Sequence, residues 1–126
     1  MSALPVIPTH SYSLRAANYC LSLSAVTADV KWQCNLVFSV ANKMFCVVSM
    51  DEPAFQHLSF KVDAHRFLEL TELEGLIPAP YMARNHWITQ TKASALPFTQ
   101  TKILIQHSYD LVVAKLPKKT QRLLKE

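Results

Sequence analysis

The chain of 126 residues contains a single glycine, Gly75, and this scarcity limits the backbone more than any other feature of the sequence. Average usage of about 7% would give roughly nine glycines. Phosphate-binding loops and dinucleotide-binding turns need several glycines, because their backbone must turn tightly and approach the phosphates closely. The sequence therefore excludes a P-loop and a Rossmann fingerprint.

Hydrophobic periodicity predicts helices near both ends of the chain. Apolar residues recur at helical spacing from Tyr12 to Leu23, so a first amphipathic helix is expected to begin about Thr9 to Ser11. A long, largely buried helix is expected after Pro97, and Pro117 should end it and open a short basic helix, "KKTQRLLK". The apolar stripe of the long helix is expected to contain Ile103, Leu104, His107, Leu111 and Val112, widened by Ile105, Tyr109 and Val113.

The middle of the chain has the pattern of β-strands. "LVFSV" and "KMFCVVSM" are rich in β-branched and aromatic residues, "HLSFKV" alternates between apolar and polar, and "RNHWITQT" is a further candidate strand. A short helix is expected to start at Asp63 and to stop by Gly75. A hairpin is expected at Ala41 and Asn42; because alanine adopts positive φ poorly, a bulge or a longer loop is predicted there.

This order of elements predicts an α+β fold, a two-layer sandwich in which helices cover one face of an antiparallel sheet. Half of the residues are apolar, enough for one domain over residues 1–126 with its core at about 9–119. The longest apolar stretch is far below the roughly 18 residues of a membrane span. The first ten residues lack a basic side chain and contain Pro5 and Pro8, unlike a signal peptide. We therefore expect a cytoplasmic protein with no membrane association.

The excess positive charge is concentrated at the C-terminus. The net charge is +4, yet residues 1–114 hold eight basic and eight acidic side chains. The tail, residues 115–126, carries Lys115, Lys118, Lys119, Arg122 and Lys125 against Glu126 alone. Such a tail attracts polyanions such as nucleic acid. The alternative is a solvated helical face whose charges suit the negative end of the preceding helix.

Several short strings follow one another between about Tyr19 and Lys119, namely "DVKW", "KMF", "LSFKVD", "IPAPY", "HW" and "SYDLVVAKLPKK". In this order and at about these spacings they resemble the MmcQ/YjbR family of small bacterial proteins. The resemblance implies a fold related to bacterial frataxin (CyaY-like) and a predicted DNA-binding function through projecting hairpins. The chain departs from the family pattern where glycines are common, with Ser24 and Ala25 after the first helix and Ala41 and Asn42 in the hairpin.

Basic residues beside aromatic ones make nucleic acid the leading candidate partner, because they combine phosphate contact with base stacking. The neutral body of the domain argues against this hypothesis. An unidentified protein or a small ligand is the alternative partner, since Tyr81, Met82 and Trp87 are residue types that form binding hot spots. A monomer or a weak dimer is expected. The candidate nucleic-acid-binding residues are Lys43, Lys61, Arg84, His86, Lys92, Lys118, Lys119 and Arg122.

The sequence offers no catalytic motif. Cys34, Cys46 and Ser108 are possible nucleophiles, but no nucleophile elbow, HExxH or paired-carboxylate spacing accompanies them. His107 is expected to be a hydrogen-bonded core residue on the long helix. We predict a non-enzymatic protein without a cofactor.

A metal site is not expected either. The chain has no CxxC pair, and Cys20, Cys34 and Cys46 suit reduced thiols. The first helix has no acidic residue, whereas the iron-binding ridge of frataxins is acidic.

The aromatic residues Trp32 and Trp87 are expected to be core residues, and Tyr81 is expected to anchor a rigid connector over 77–81.

Overall fold

A computed structural model of the chain describes residue 8 and residues 10–32, 34–51 and 55–124. Thr9, where the first helix could begin, and the last two residues of the basic tail lie outside this range. Within these described residues, four α-helices and six β-strands make up the fold. They are α1 Ser11–Ser22, β1 Val26–Lys31, β2 Asn35–Val40, β3 Lys43–Ser49, β4 His57–Lys61, α2 Ala64–Thr71, β5 Leu76–Pro78, β6 Trp87–Gln90, α3 Phe98–Ala114 and α4 Lys118–Leu124.

The strands form one antiparallel sheet in the order β1-β2-β3-β4-β6-β5. The inward residues of all four helices pack with alternate strand residues such as Phe38, Leu58 and Phe60 into one large apolar cluster. A second, small cluster lies on the other side of the sheet and contains Val37, Val47, Ala79 and Trp87. No α-helix contributes to this second cluster within the described residues. The α+β sandwich with helices on one face is thus confirmed, and the second side of the sheet is here named the open face.

The β2–β3 hairpin has a tight turn despite its lack of glycine. Ala41 and Asn42 both have positive φ, 50° and 66°, and Val40 pairs directly with Lys43. Two left-handed residues match the right-handed twist of the strands. The longer loop is therefore wrong, but the expected bulge is present: Phe38 pairs with Cys46 and Ser39 with Met44, so Phe45 is the extra residue in β3.

Helix α3 is fastened to the sheet at this bulge. The buried Ser108 hydroxyl donates to the Phe45 carbonyl at 2.7 Å and accepts from the Lys61 backbone N–H at 3.0 Å. It thus stands between β3 and β4 and satisfies two backbone groups beside the bulge. Next to it, the Tyr109 hydroxyl donates to the Ser24 carbonyl at 2.7 Å. Both hydroxyls therefore anchor α3 to backbone groups of neighbouring segments.

A buried polar cluster joins α1, β6 and α3 at the other end of the sheet. Gln90 has no exposed surface. Its amide nitrogen donates to the Tyr12 hydroxyl and the Lys92 carbonyl, both at 3.1 Å, and its amide oxygen accepts from Thr101 at 2.8 Å. Tyr12 also contacts the Leu96 carbonyl at 2.8 Å. These bonds fix where the two long helices begin relative to the sheet.

Some burial expectations are wrong. Trp32 is 59% exposed because it lies in the turn between β1 and β2, and Tyr81 is fully exposed and anchors nothing. Trp87, by contrast, is buried as expected. Ile103 is exposed on α3, whereas Leu104, Ile105 and Tyr109 are buried as expected, together with Thr101 and Ser108.

Two segments around the prolines differ from expectation. β5 is a short edge strand that the sequence pattern did not predict, and β6 begins at Trp87, so Ala83–Asn85 forms a 3₁₀ turn rather than part of a strand.

His107 is 42% exposed and bonds Asp63 at 2.6 Å, so it is hydrogen-bonded but not a core residue. Asp63 precedes α2 without a capping bond from its side chain.

Replacing Gly75 with alanine should destabilise the fold by about 1–3 kcal/mol. Gly75 has φ of 92°, and an added Cβ would lie 2.7 Å from the Cβ of Ala95 and 3.0 Å from Lys92 carbons. The penalty combines an unfavourable left-handed backbone with a clash against a short side chain that cannot rotate away. Urea denaturation of the two proteins measures it.

The control is the opposite substitution, Ala28→Gly, at a position of β1 where φ is negative. We expect it to lower the free energy of unfolding by roughly 0.5–1 kcal/mol. Unchanged stability of the Gly75→Ala variant would contradict this account of the single glycine.

Candidate nucleic-acid interface

Most of the candidate basic residues lie at one end of the sheet, where β1 and β3 begin and β4 ends. Lys43 opens β3, and Lys61 closes β4 and pairs with Trp87, the first residue of β6. Arg84 is exposed in the 3₁₀ turn just before Trp87. The antiparallel pairing of non-consecutive strands thus brings together basic residues that are far apart in the sequence.

Helix α3 ends at the same end of the sheet and leads into the basic helix α4. Ser108 contacts Lys61, so the following turns of α3 reach this end, and Lys115 lies close enough to influence the Lys61 amine electrostatically. The last turn of α4 returns to the start of β1, where the Ser24 hydroxyl donates to the Leu124 carbonyl at 2.9 Å. We name this set the basic end: Lys43, Lys61, Arg84, Lys115, Lys118, Lys119 and Arg122.

Lys61 is close both to the start of β6 and to the end of α3. Its Nζ donates to the Asn85 carbonyl at 2.7 Å, which holds the amine over the start of β6. Partial burial, and then the positive charge of Lys115, lower the pKa of Lys61. Repulsion between neighbouring cations is relieved when an anion binds between them. The basic end is therefore a suitable place for a phosphate group.

Two candidates contribute less than the sequence suggested. Lys92 lies at the opposite end of the sheet and forms an ion pair with Glu74 at 2.7 Å, which lowers the pKa of Glu74. His86 is close to the basic end, but its ring packs edge-on against Phe67 with centroids 5.7 Å apart. Its backbone is left-handed, with φ of 66°, so it does not continue the alternation of β6.

The open face contains a groove of about 820 Å³. Its floor is a row of paired residues that crosses the sheet from Val47 through Ser59 to Thr89. The Ser59 and Thr89 hydroxyls share a hydrogen bond of 2.7 Å. Trp32 stands at one rim and Tyr81 at another, and Met44, Met82 and Ile77 add apolar walls. We name this feature the open-face groove.

Sequence reasoning missed this groove because it expected both aromatic rims to be buried or anchoring. The usable signal was local: Trp32 is flanked by Lys31 and Gln33, and polar neighbours on both sides are typical of a turn. Tyr81 directly follows Pro80, and its own left-handed backbone (φ 66°) reverses the chain.

Cys34 on the groove rim should be the reactive thiol of the protein. Cys20 and Cys46 are buried. Burial, and to a smaller extent a hydrogen bond with Cys46, raises the pKa of Cys20 well above its usual value. Desolvation and the nearby Asp51 carboxylate raise the pKa of the partly exposed Cys34 more modestly. Since only the thiolate reacts, alkylation of Cys34 should be slow at neutral pH and should keep rising above pH about 8.5, where an ordinary cysteine levels off.

Thiol titration with a chromogenic disulfide, with and without denaturant, tests this prediction. One thiol should react in the folded protein and three after unfolding, and Cys34→Ser should remove the single early reaction. Asp51→Asn should speed labelling at pH 7, because it removes the negative charge beside the thiol. Rapid labelling of all three cysteines in the folded state would contradict the burial described here.

Two structural features, a cluster of metal ligands and a membrane-spanning helix, are absent from the described residues. Across 10–32, 34–51 and 55–124, His, Cys, Asp and Glu side chains nowhere gather in groups of three or more that could hold an ion. None of the helices in this part of the chain is long and apolar enough to cross a bilayer.

Comparison with known proteins finds a family model and solved structures that match this chain. A protein-family model described as YjbR matches residues 21–111. The crystal structure of Deinococcus radiodurans protein DR2400, described as a DUF419 domain, superposes with a TM-score of 0.80 at 23% sequence identity. The match covers 98% of this chain and 92% of that one, so the two share a fold. No curated protein matches this sequence.

Proposed function

Because this chain belongs to the YjbR family and its lysine and arginine side chains gather at one end of the sheet, we propose that it is a nucleic-acid-binding domain without catalytic activity. The basic end is the observation that carries the proposal. Phosphate contacts supply most of the affinity in sequence-independent binding, and clustered lysine and arginine side chains provide them.

The charges of the basic end are available for such contacts. Lys118, Lys119 and Arg122 are exposed on α4, and Arg84 is exposed beside β6. Two carboxylates of neighbouring segments, Asp63, which bonds His107, and Asp110, which accepts from the Gln106 amide at 3.0 Å, oppose the seven lysine and arginine side chains of the basic end. The balance of charge at this end is thus strongly positive, although the domain body is neutral in total.

Salt-titrated fluorescence anisotropy with labelled duplex DNA tests the proposal. The logarithm of the binding constant should fall linearly with the logarithm of salt concentration, by about 0.9 for each phosphate neutralised. Replacing Lys118 and Lys119 together with alanine should reduce affinity about tenfold at low salt, because two surface ion pairs of about 0.5–1 kcal/mol each are lost. The salt dependence should become shallower by about two contacts.

Lys31→Ala combined with Lys102→Ala is the matched control. It also removes two positive charges, but from exposed positions on β1 and α3 that lie outside the basic end. Its affinity should stay within about twofold of the unmodified protein. Equal losses in the two double variants would reduce the interaction to net charge alone, and absence of binding at about 50 mM salt would refute the proposal.

An interaction module for a protein or a small ligand is the second candidate function, and the open-face groove favours it. Volumes of about 300–1,000 Å³ with mostly apolar walls are typical of ligand sites. Such a module would retain its partner in high salt, whereas phosphate-based binding would not. Retention of a partner by the immobilised protein at about 0.5 M salt, without any nucleic-acid binding at low salt, would select this second function.

A further inference from the structure

We propose that the open-face groove receives unpaired bases of a single-stranded nucleic acid whose phosphates bind at the basic end. This inference rests on the proposed nucleic-acid function and adds its substrate class: single strands rather than duplex. Four observations support it, namely the two exposed aromatic rims, the composition of the floor, the position of the groove beside the basic end and the distribution of charge along it.

The aromatic rims have free faces. Trp32 is 59% exposed and Tyr81 is fully exposed, whereas Trp87 on the same side of the sheet is 6% exposed and packs with Val37 and Val47. Exposed aromatic rings at a groove are the usual stacking partners of unpaired bases, and such stacking tolerates any base because every base has a π-face.

The groove floor suits the edges of bases. The hydroxyls of Ser49, Ser59 and Thr89 and the amide of Asn35 line it between apolar residues. Hydroxyl and amide groups both donate and accept hydrogen bonds, so they match the mixed donor and acceptor edges of the bases. The Ser59 and Thr89 hydroxyls already share one hydrogen bond, and a base edge would use the hydrogen-bonding capacity that remains on them and on Ser49 and Asn35.

The groove continues into the basic end along two elements. Tyr81 and Met82 come shortly before Arg84 in the sequence, and the Trp87 N–H donates to the Met82 carbonyl at 3.3 Å. On β4, Ser59 of the floor is two residues before Lys61, so both side chains lie on the open face. A strand whose base enters the groove therefore has its phosphates within reach of Lys61 and Arg84.

Charge along the groove gives the strand a direction of exit. The rim farthest from the basic end carries the Asp51 carboxylate. A phosphate would be repelled there and attracted at Lys61 and Arg84. We therefore place the bases in the groove and the phosphates toward the basic end, away from Asp51 and near Lys61 and Arg84.

Duplex DNA cannot use this groove. Paired and stacked bases do not expose their faces, so a duplex would contact only the basic end. The proposal therefore predicts that aromatic substitutions weaken single-strand binding and leave duplex binding unchanged. If binding depended on charge attraction alone, these substitutions would change neither the single-strand affinity nor the duplex affinity.

Anisotropy with labelled oligothymidylate, oligouridylate and a duplex of equal charge tests the proposal at one fixed salt concentration. Trp32→Ala and Tyr81→Ala should each weaken single-strand binding about tenfold or more, as is usual when a stacking aromatic is removed. Their duplex affinity should stay within twofold. Leu68→Ala is the matched control, because Leu68 is 72% exposed on α2, which packs on the other side of the sheet, and its affinities should not change.

Tryptophan fluorescence and Cys34 labelling follow the same event in the unmodified protein. Saturating oligothymidylate should quench emission from Trp32, and Trp32→Phe should bind nearly as well while losing that quenching. Alkylation of Cys34, which lines the groove, should slow severalfold when the single strand is bound and should not slow with the duplex.

The failures of the two proposals are distinguishable. Salt-dependent binding of single strands and duplex that survives both alanine substitutions, with unchanged Trp32 emission and Cys34 labelling, would overturn the groove assignment and leave the basic end standing. No binding of any nucleic acid would overturn both. Binding of oligothymidylate or of oligouridylate with all three groove responses would support the inference, and the stronger of the two would show whether the thymine DNA strand or the uracil RNA strand is preferred.

Discussion

Ser108→Ala should destabilise the protein by about 2–4 kcal/mol, although it removes only one oxygen atom. The Ser108 hydroxyl satisfies the Phe45 carbonyl and the Lys61 N–H, and the side chain is fully buried. Without it, two backbone groups beside the bulge lose their partner where water does not reach. Each buried unsatisfied group costs about 1–3 kcal/mol.

Urea denaturation of the Ser108→Ala variant measures this loss. Ser22→Ala is the control, because the Ser22 hydroxyl also bonds a backbone carbonyl, that of Tyr19 at 2.6 Å, but at an exposed site. Its expected cost is below about 0.5 kcal/mol. Similar small losses in both variants would mean that water or a backbone shift replaces the Ser108 bonds.

Gln90→Glu should produce a loss of stability that depends strongly on pH. The two side chains have nearly the same shape, but Gln90 is fully buried and its amide donates to Tyr12 and to the Lys92 carbonyl. A carboxylate cannot donate either bond, and burial of its charge raises its pKa above the unfolded value of about 4.3. The variant should therefore be closest to the unmodified protein below pH about 4.3.

Above that pH the destabilisation should grow as the unfolded chain, but not the folded one, loses its proton. The increase is about 1.4 kcal/mol per pH unit until the raised folded pKa is reached. At pH 7 this pH-dependent part of the loss should reach about 3–4 kcal/mol, since buried carboxyls are shifted by up to 3–5 units.

Two further variants isolate the cause of this pH dependence. Gln90→Leu loses these hydrogen bonds and the one from Thr101 without adding a charge, so its loss should not vary with pH. Gln100→Glu adds the same charge at an exposed position of α3 and should change stability by less than about 0.5 kcal/mol. Parallel pH profiles for Gln90→Glu and the unmodified protein would show that the carboxylate finds a partner or reaches water.

Much of the fold could be predicted from periodicity because local patterns and tertiary structure agree. The alternation of Leu58 and Phe60 with polar residues, and the proline before α3, give the right element types. β5 escaped prediction because three residues that include Pro78 carry no periodic signal, and proline is tolerated only at a sheet edge.

The candidate site could be predicted only in part. The basic tail is visible in the composition, but its proximity to Lys61 and Arg84 depends on the pairing of β4 with β6, which places β5 outside them. That order is a long-range property of the sheet. The groove was hidden for a similar reason, since the exposure of Trp32 and Tyr81 follows from left-handed turn geometry that neither residue type favours.

The clustering of charge at one end of the sheet also affects how the protein would meet a partner. A neutral body with positive charge at one extremity has a large electric dipole moment. In the field of a polyanion this dipole exerts a torque, which turns the molecule during diffusion so that the basic end leads. Fewer collisions are then wasted on wrong orientations, and the association rate, more than the residence time, gains from the placement of these charges.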